Sequence, residues 1–500
     1  MRSERIVRLD DSMLRPEVAG GTRRHTPLSL VWLYLMILAL PFYGFSFLNW
    51  GIRGVLRPDW IFAGLLVLSF VMSMIKGRSV RLGNVHYFVM FLNLAAILSY
   101  LGMAKSDDER TTSYLTLYGQ ILFMSVVFLA ISNLEMEDRH LRSLIRLWIG
   151  IAVVVAGYSL YEVFAVNMSL PTLPFYFTNP SIKAIGTEAA ILSYKRSASF
   201  LAEPGYLGAV ITGPLIFMLV NVILSKDHAL LFQNRASNWL LIAILAGAVV
   251  ASQALSAYLV ILSVVALIGM RLITRPQFAG RLLLVAAVIG GTATAVAMFG
   301  GNLKLELLES IAGRFGQAIS GNDASGQVRV VGNLVALKMW MDHPLFGVGV
   351  NNFLFHVPNY VLPSWYGGWQ EITTPGNMWT EALSEMGIFG FIALCGVWLA
   401  SLRQLWMTAK KTKSNDWLSV ALFAFFYVLV ADVLSSLFLH SIAAPQLWVD
   451  LGVAYILVRH RRENTRSYQL AAGDVQPFDG DRRVRRQGMW IRDEGGKGLY

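Results

Sequence analysis

The sequence predicts an all-α polytopic membrane protein, with about twelve transmembrane helices and a large helical loop on the outer side. Three observations carry this. Of 500 residues, 55% are hydrophobic and only 15% are charged, against about 25% charged in soluble globular chains. Apolar runs near 20 residues recur from Leu28 to Val458, and such a run crosses a hydrocarbon core of roughly 30 Å. The basic residues fall unevenly between alternate connections, which is how orientation in a membrane is set. A single cysteine, Cys395, excludes an intrachain disulfide. The net charge of +11 is accounted for by orientation, so no nucleic-acid partner is expected.

The spans are read as 28–48, 60–75, 85–104, 114–133, 147–166, 205–224, 237–253, 256–270, 282–300, 377–400, 416–435 and 442–458. The basic segment 1–27 is not a cleavable signal, because the first apolar run ends in Leu48-Asn49-Trp50 rather than at an Ala-x-Ala-type site. The stretch from Trp239 to Met270 decides the parity. As one helix it would be about 48 Å long, well beyond the hydrocarbon core. Ser252-Gln253-Ala254-Leu255-Ser256 interrupts it at the middle, so two helices with a tight turn fit better. With that division and a cytoplasmic N-terminus, 31 of the 42 Lys and Arg residues lie on the cytoplasmic side and 11 outside. The chain then divides into a cytoplasmic segment 1–27, a transmembrane domain 28–458 with an external loop 301–376, and a basic cytoplasmic tail 459–500 expected to be disordered.

No cytoplasmic connection is large enough for a soluble catalytic domain, so a site belongs in the membrane or on its outer face. Two outer segments are long, Asn167–Arg196 and Gly301–Gly376, and loops of that length are uncommon unless functional or disordered. Within the larger, a helix is expected over Lys304–Arg314. A second follows the Gly321–Ser325 turn and runs to Met341, stopped by Asp342-His343-Pro344. On it Arg329, Asn333, Ala336 and Trp340 share one face. The following Phe346–Phe353 loop has two glycines. It either turns backbone N–H groups toward an anion or makes a tight packing turn.

Arginine on the outer side runs against the orientation bias, and its planar fork binds phosphate oxygens in pairs. Arg196, Arg314 and Arg329 are therefore candidate diphosphate ligands, the alternative for each being an interfacial arginine with its head in water. Glu203 sits at the mouth of a span, before Pro204, as a general base or an ion-pair partner of Arg196. His356 is the titratable group in the large loop best suited to base work, or a structural histidine. Trp365 and Trp369 would stack on sugar faces or belong to an aromatic interfacial belt. Asp107, Asp108 and Glu109 read as a solvated charge run rather than a metal site.

The run Arg329…Trp340-Met341-Asp342-His343-Pro344-Leu345-Phe346-Gly347-Val348-Gly349-Val350-Asn351-Asn352-Phe353 resembles the outer loop of the O-antigen ligase and O-antigen polymerase superfamily. So does Asn377-Met378-Trp379-Thr380-Glu381-Ala382-Leu383-Ser384-Glu385-Met386-Gly387-Ile388-Phe389-Gly390. The segment Arg196–Gly208 is similar to the Arg…Phe-x-Glu-Pro element of exopolysaccharide polymerases in that group, although Leu201 and Ala202 here separate Phe200 from Glu203. The resemblance covers roughly residues 190–460.

This resemblance implies a membrane-embedded, C-type glycosyltransferase at the outer face of a bacterial inner membrane. It would polymerise undecaprenyl-diphosphate-linked repeat units into O-antigen or exopolysaccharide. Arg196, Arg329 and Arg314 would hold the diphosphate, Glu203 or His356 would serve the acceptor, and Trp365, Trp369 and Asn377 would meet the glycan. No cofactor and no metal are expected. The partners implied are the lipid-linked glycan, membrane lipids and a chain-length regulator protein. Many members, ligases notably, have His-Asn where this chain has Gly376-Asn377, which tilts the reading from ligase toward polymerase. A lipid-linked glycan flippase is the reading from another class; its charges would lie within the spans, whereas the unusual residues here lie in the outer loop.

Overall fold

The computed structural model describes residues 28–42, 57–103, 107–168, 204–225, 234–272, 324–361, 374–411, 416–438 and 442–473, with a few isolated positions between them. Among the described residues the chain is helical and has no strand. The α-helices are α1 Leu28–Ala39, α2 Pro58–Ile75, α3 Asn84–Leu98, α4 Asp108–Ser132, α5 Asp138–Asn167, α6 Pro204–Leu224 and α7 Arg235–Ser252. They continue as α8 Leu255–Leu272, α9 Ala324–Asp342, α10 Phe353–Tyr360, α11 Met378–Lys411, α12 Trp417–Ser435 and α13 Pro445–Gly473. Eight of them, α2 to α7 with α11 and α12, are long and apolar enough to cross a membrane, and α1 and α8 are apolar but shorter. Eleven of the expected spans coincide with a helix. The remaining one, 282–300, lies almost wholly outside the described residues, as does the expected helix Lys304–Arg314.

Local sequence explains several helix starts. Asp107, Asn234 and Asp416 each precede a helix, and their side chains accept from Arg110 N–H (2.8 Å), Ala236 N–H (2.9 Å) and Ser419 N–H (2.9 Å). Each satisfies one of the amides a helix start leaves unpaired. Asp107 thus has a structural task within its acidic run. The interruption in Trp239–Met270 falls where expected. α7 ends at Ser252, Gln253 takes a left-handed backbone conformation at φ 49°, and α8 begins at Leu255. The Tyr258 hydroxyl donates back across the break to Val250 C=O at 3.1 Å. Both helices pack on α6.

The core is continuous through the bundle. Trp148 of α5, Phe217 of α6 and Phe425 of α12 meet with ring centroids 5.5–6.1 Å apart, each such pair contributing about 0.5–1.5 kcal/mol beyond burial. Between apolar helices in lipid, close approach supplies much of the attraction. α11 lies so near α3 that a Cβ at Gly396 would stand 2.1 Å from the Phe88 ring.

Contacts also sort the connections into two groups. At one end, Arg81 pairs with Glu463 and Glu135, Arg459 donates to Ser132 C=O, His460 meets Asp138, and Arg461 pairs with Asp416 at 2.7 Å. At the other, Ser113 Oγ donates to Asn351 C=O at 2.9 Å, and the Arg110 guanidinium lies 5.5 Å from the centre of the Phe355 ring. These are the groupings that the count of basic residues assigns to two opposite sides. α13 continues past Arg459 to Gly473. The contacts of Arg459, His460 and Arg461 with the α4–α5 and α11–α12 turns hold its extension against the bundle.

Candidate functional site

α9 lies across the first turns of α11, and three polar side chains join them. Asn377 precedes α11 and its Oδ1 accepts from Trp379 N–H and Thr380 N–H, both at 2.9 Å. Its side-chain amide donates to Asn333 Oδ1 at 2.9 Å, and the Thr380 hydroxyl donates to the same oxygen at 2.7 Å. The backbone approaches closely here. A Cβ at Gly376 would stand 2.2 Å from Arg329 C=O and 2.5 Å from Asn333 Nδ2. A side chain at 376 therefore has no room in this packing, which gives the glycine at the Gly376-Asn377 pair a steric reason. Arg329 is half-buried on α9, and no carboxylate among the described residues pairs with it. The expected face of α9 is present in part. Asn333 and the buried Ala336 turn inward, while Trp340 Nε1–H donates to Pro344 C=O at 3.2 Å.

The glycine loop after α9 is a packing device. Gly387 interrupts α11 at φ 63° and ψ −161°, so its neighbours lose regular helical partners. The loop supplies substitutes. Val348 N–H donates to Ser384 C=O (2.9 Å), Gly349 N–H to Glu385 C=O (3.0 Å), and Ile388 N–H reaches back to Pro344 C=O (2.9 Å). The Glu385 carboxylate then receives Asn351 N–H at 2.7 Å and Phe353 N–H at 3.3 Å. Of the two roles open to this loop, the packing turn is the one formed. The group that its N–H groups hold is a side chain of the same protein. Gly347, at φ 68°, is pressed against the Glu385 backbone, where a Cβ would come within 2.4 Å.

His356 lies on α10, 8% exposed, with its ring centroid 6.2 Å from that of His343. Burial lowers its pKa to about 4, helped by the positive charge of Arg110 and by His343. It is therefore neutral near pH 7. His343 follows the end of α9, whereas Arg329 lies near its start, about 21 Å away along the axis at 1.5 Å per residue. The structure does not bring His356 to Arg329. Nearby, the Tyr360 pKa is pushed up to about 12 by burial and by its hydrogen bond to Asp342.

A third cluster stands beside the α7–α8 break. Ser197 N–H donates to Ala251 C=O at 3.1 Å, and Ser199 N–H donates to Glu162 Oε2 at 3.0 Å. Arg196 and Glu203 flank these serines but, with Arg314, Trp365 and Trp369, lie outside the described residues.

The sequence reading did not single out Glu162, Glu381 and Glu385, and it took the spans to be nearly free of charge. Each is an acidic residue in an apolar helix. Asp432 and Asp450 are likewise buried on α12 and α13. That pattern was legible, because a carboxylate in a span is costly and faces a partner or a cavity.

Residues 240–395 match the model of the family described as O-Antigen ligase. The match supports membership of the O-antigen ligase and polymerase superfamily. It takes in most of α7, then α8, α9, α10 and the N-terminal half of α11, hence Arg329, Asn333, His356, Asn377, Glu381 and Glu385, while Arg196 and Glu203 precede it. No curated protein matches the chain.

Proposed function

As a multi-pass member of the O-antigen ligase and polymerase superfamily, the chain is, we propose, a glycosyltransferase that polymerises undecaprenyl-diphosphate-linked repeat units at the outer face of the bacterial inner membrane. The observation that carries the reading is Arg329. It is a half-buried guanidinium without a carboxylate partner among the described residues, and its helix is hydrogen-bonded to the first turn of α11 through Asn333.

In this reading the anomeric carbon of the growing glycan carries a diphosphate leaving group. A hydroxyl of a second lipid-linked unit attacks it. Negative charge grows on the departing diphosphate, and fixed cations placed there stabilise the transition state. Arg329 is assigned to that charge, together with Arg196 and Arg314. Trp365 and Trp369 are assigned to sugar faces, and Asn377 to the glycan at the start of α11. Glu203 and His356 are the proton acceptors expected from the sequence. The reaction as proposed needs neither metal nor cofactor.

Polymerase is favoured over ligase because Gly376 leaves no side chain beside Asn377. The test is reaction of the purified protein with lipid-linked repeat units in EDTA. A ladder of products supports polymerisation. Transfer only to a separate lipid-anchored acceptor would make the protein a ligase, and no transfer under any acceptor condition would refute the proposal.

A further inference from the structure

We propose that Glu381 is the residue that takes the proton from the acceptor hydroxyl, an assignment that rests on the glycosyltransferase reading above. Arg329, Asn333, Asn377 and Thr380 are hydrogen-bonding and charge-stabilising groups, and none of them is a carboxylate or imidazole that can take up a proton. Position 376 holds no side chain and has no room for one. Glu203 lies outside the described residues and His356 is not brought to Arg329, so among the described residues a proton acceptor must come from elsewhere on the same surface.

Glu381 is one helical turn beyond Asn377, and its N–H donates to Asn377 C=O at 3.0 Å. Four residues apart on a helix, the two side chains lie on one face. Glu385, a further turn along that face, has both carboxylate oxygens engaged by Asn351 and Phe353 N–H. Glu381 differs. Ile442 N–H donates to its carboxylate, while Oε2 has no hydrogen-bond partner although the residue is only 5% exposed. An acceptor oxygen buried without a donor costs about 1–3 kcal/mol, and more when charged. A hydroxyl is a donor that would relieve it. Catalytic hydrogen bonds commonly tighten only once substrate is bound.

The step balances as follows. The acceptor oxygen forms a bond to the anomeric carbon as the bond from that carbon to the diphosphate oxygen breaks. The breaking bond's electron pair leaves with the diphosphate. The hydroxyl proton passes to Glu381 Oε2, which becomes a neutral carboxyl and later returns the proton to water.

The experiment compares Glu381→Gln with the parent in two assays on purified protein. One measures binding of undecaprenyl diphosphate, and the other measures turnover with lipid-linked repeat units. Glu381→Gln should bind undecaprenyl diphosphate as the parent does while turnover falls about 10²–10⁴-fold, the range for loss of a general base. Arg329→Ala should lose the binding itself. Turnover by Glu381→Gln within threefold of the parent would overturn the assignment, as would loss of binding by that variant, which would make the residue scaffold. Should Glu381→Gln fail to accumulate, Glu381→Asp must show reduced turnover with parent-like binding, and parent-like turnover would overturn the assignment. A parent protein that transfers no glycan would instead refute the function proposed above.

Discussion

Asn377 donates its side-chain amide to Asn333 Oδ1 across 2.9 Å, fastening α9 to the first turn of α11. The two residues are far apart in the chain, yet this contact, with the Thr380 hydroxyl on the same oxygen, sets where Arg329 stands.

Arg329→Ala should abolish polymer while the protein still inserts and accumulates. Removing one donor to developing charge costs roughly 10²–10³ in rate. Arg329→Lys should restore little, because an ammonium cannot supply two parallel hydrogen bonds. Polymer length and yield at matched protein level are the measurement. Near-normal polymer would return the residue to an interfacial role.

Gly376→Ala should lower the unfolding temperature of the detergent-solubilised protein. The added Cβ meets the backbone Arg329 C=O at 2.2 Å and the Asn333 side chain at 2.5 Å. Overpacking of this kind costs about 1–3 kcal/mol, and Gly376→His should cost more. A melting temperature equal to the parent's would show that the α9–α11 contact yields freely.

Glu385→Ala should destabilise the outer loop more than a surface substitution does. It leaves Asn351 N–H and Phe353 N–H without their acceptor, at about 1–3 kcal/mol for the buried Phe353 amide. Hydrogen exchange should rise over residues 347–353 in particular. Unchanged protection there would contradict the role given to the carboxylate.

His356 makes stability depend on pH. Its folded pKa lies near 4, below the ordinary histidine value of 6.5, so the unfolded chain binds the extra proton first as pH falls. Stability therefore rises with pH through this window. It is lost as pH drops from about 6.5 toward about 4, and no cost arises above 6.5. His356→Gln should flatten that part of the profile, read as melting temperature against pH. An identical slope in the variant would exclude His356 as its source.

Reporter fusions at Trp340 and after the C-terminus should give opposite signals, the first external and the second cytoplasmic. The two-sided grouping of contacts motivates this, since Ser113 meets Asn351 at one end and Arg81 meets Glu463 at the other. Matching signals would mean that a span has been divided wrongly between those points.

The sequence by itself determined whatever depends on composition along a continuous stretch. Apolar run length locates the helices, and a polar break at Gln253 ends one of them. The distribution of Lys and Arg sorts the connections into two sides that the contacts then join among themselves. Arg329 and Asn377 were also visible, as an arginine against the orientation bias and as part of a resemblance. Tertiary structure alone decided which polar atoms meet. The N–H groups of the Gly347–Phe353 loop looked free to hold an external anion, and only the break at Gly387 showed that Glu385 and its neighbouring carbonyls take them. His356 read as the group in the large loop best suited to base work or as a structural histidine, and only the length of α9 separated it from Arg329. Gly376 read as a missing side chain, and only the approach of α9 showed it as a place where none fits. In each case the deciding quantity is a distance between groups far apart in the chain. Such a distance follows from how the helices pack, and no local pattern of residues encodes it.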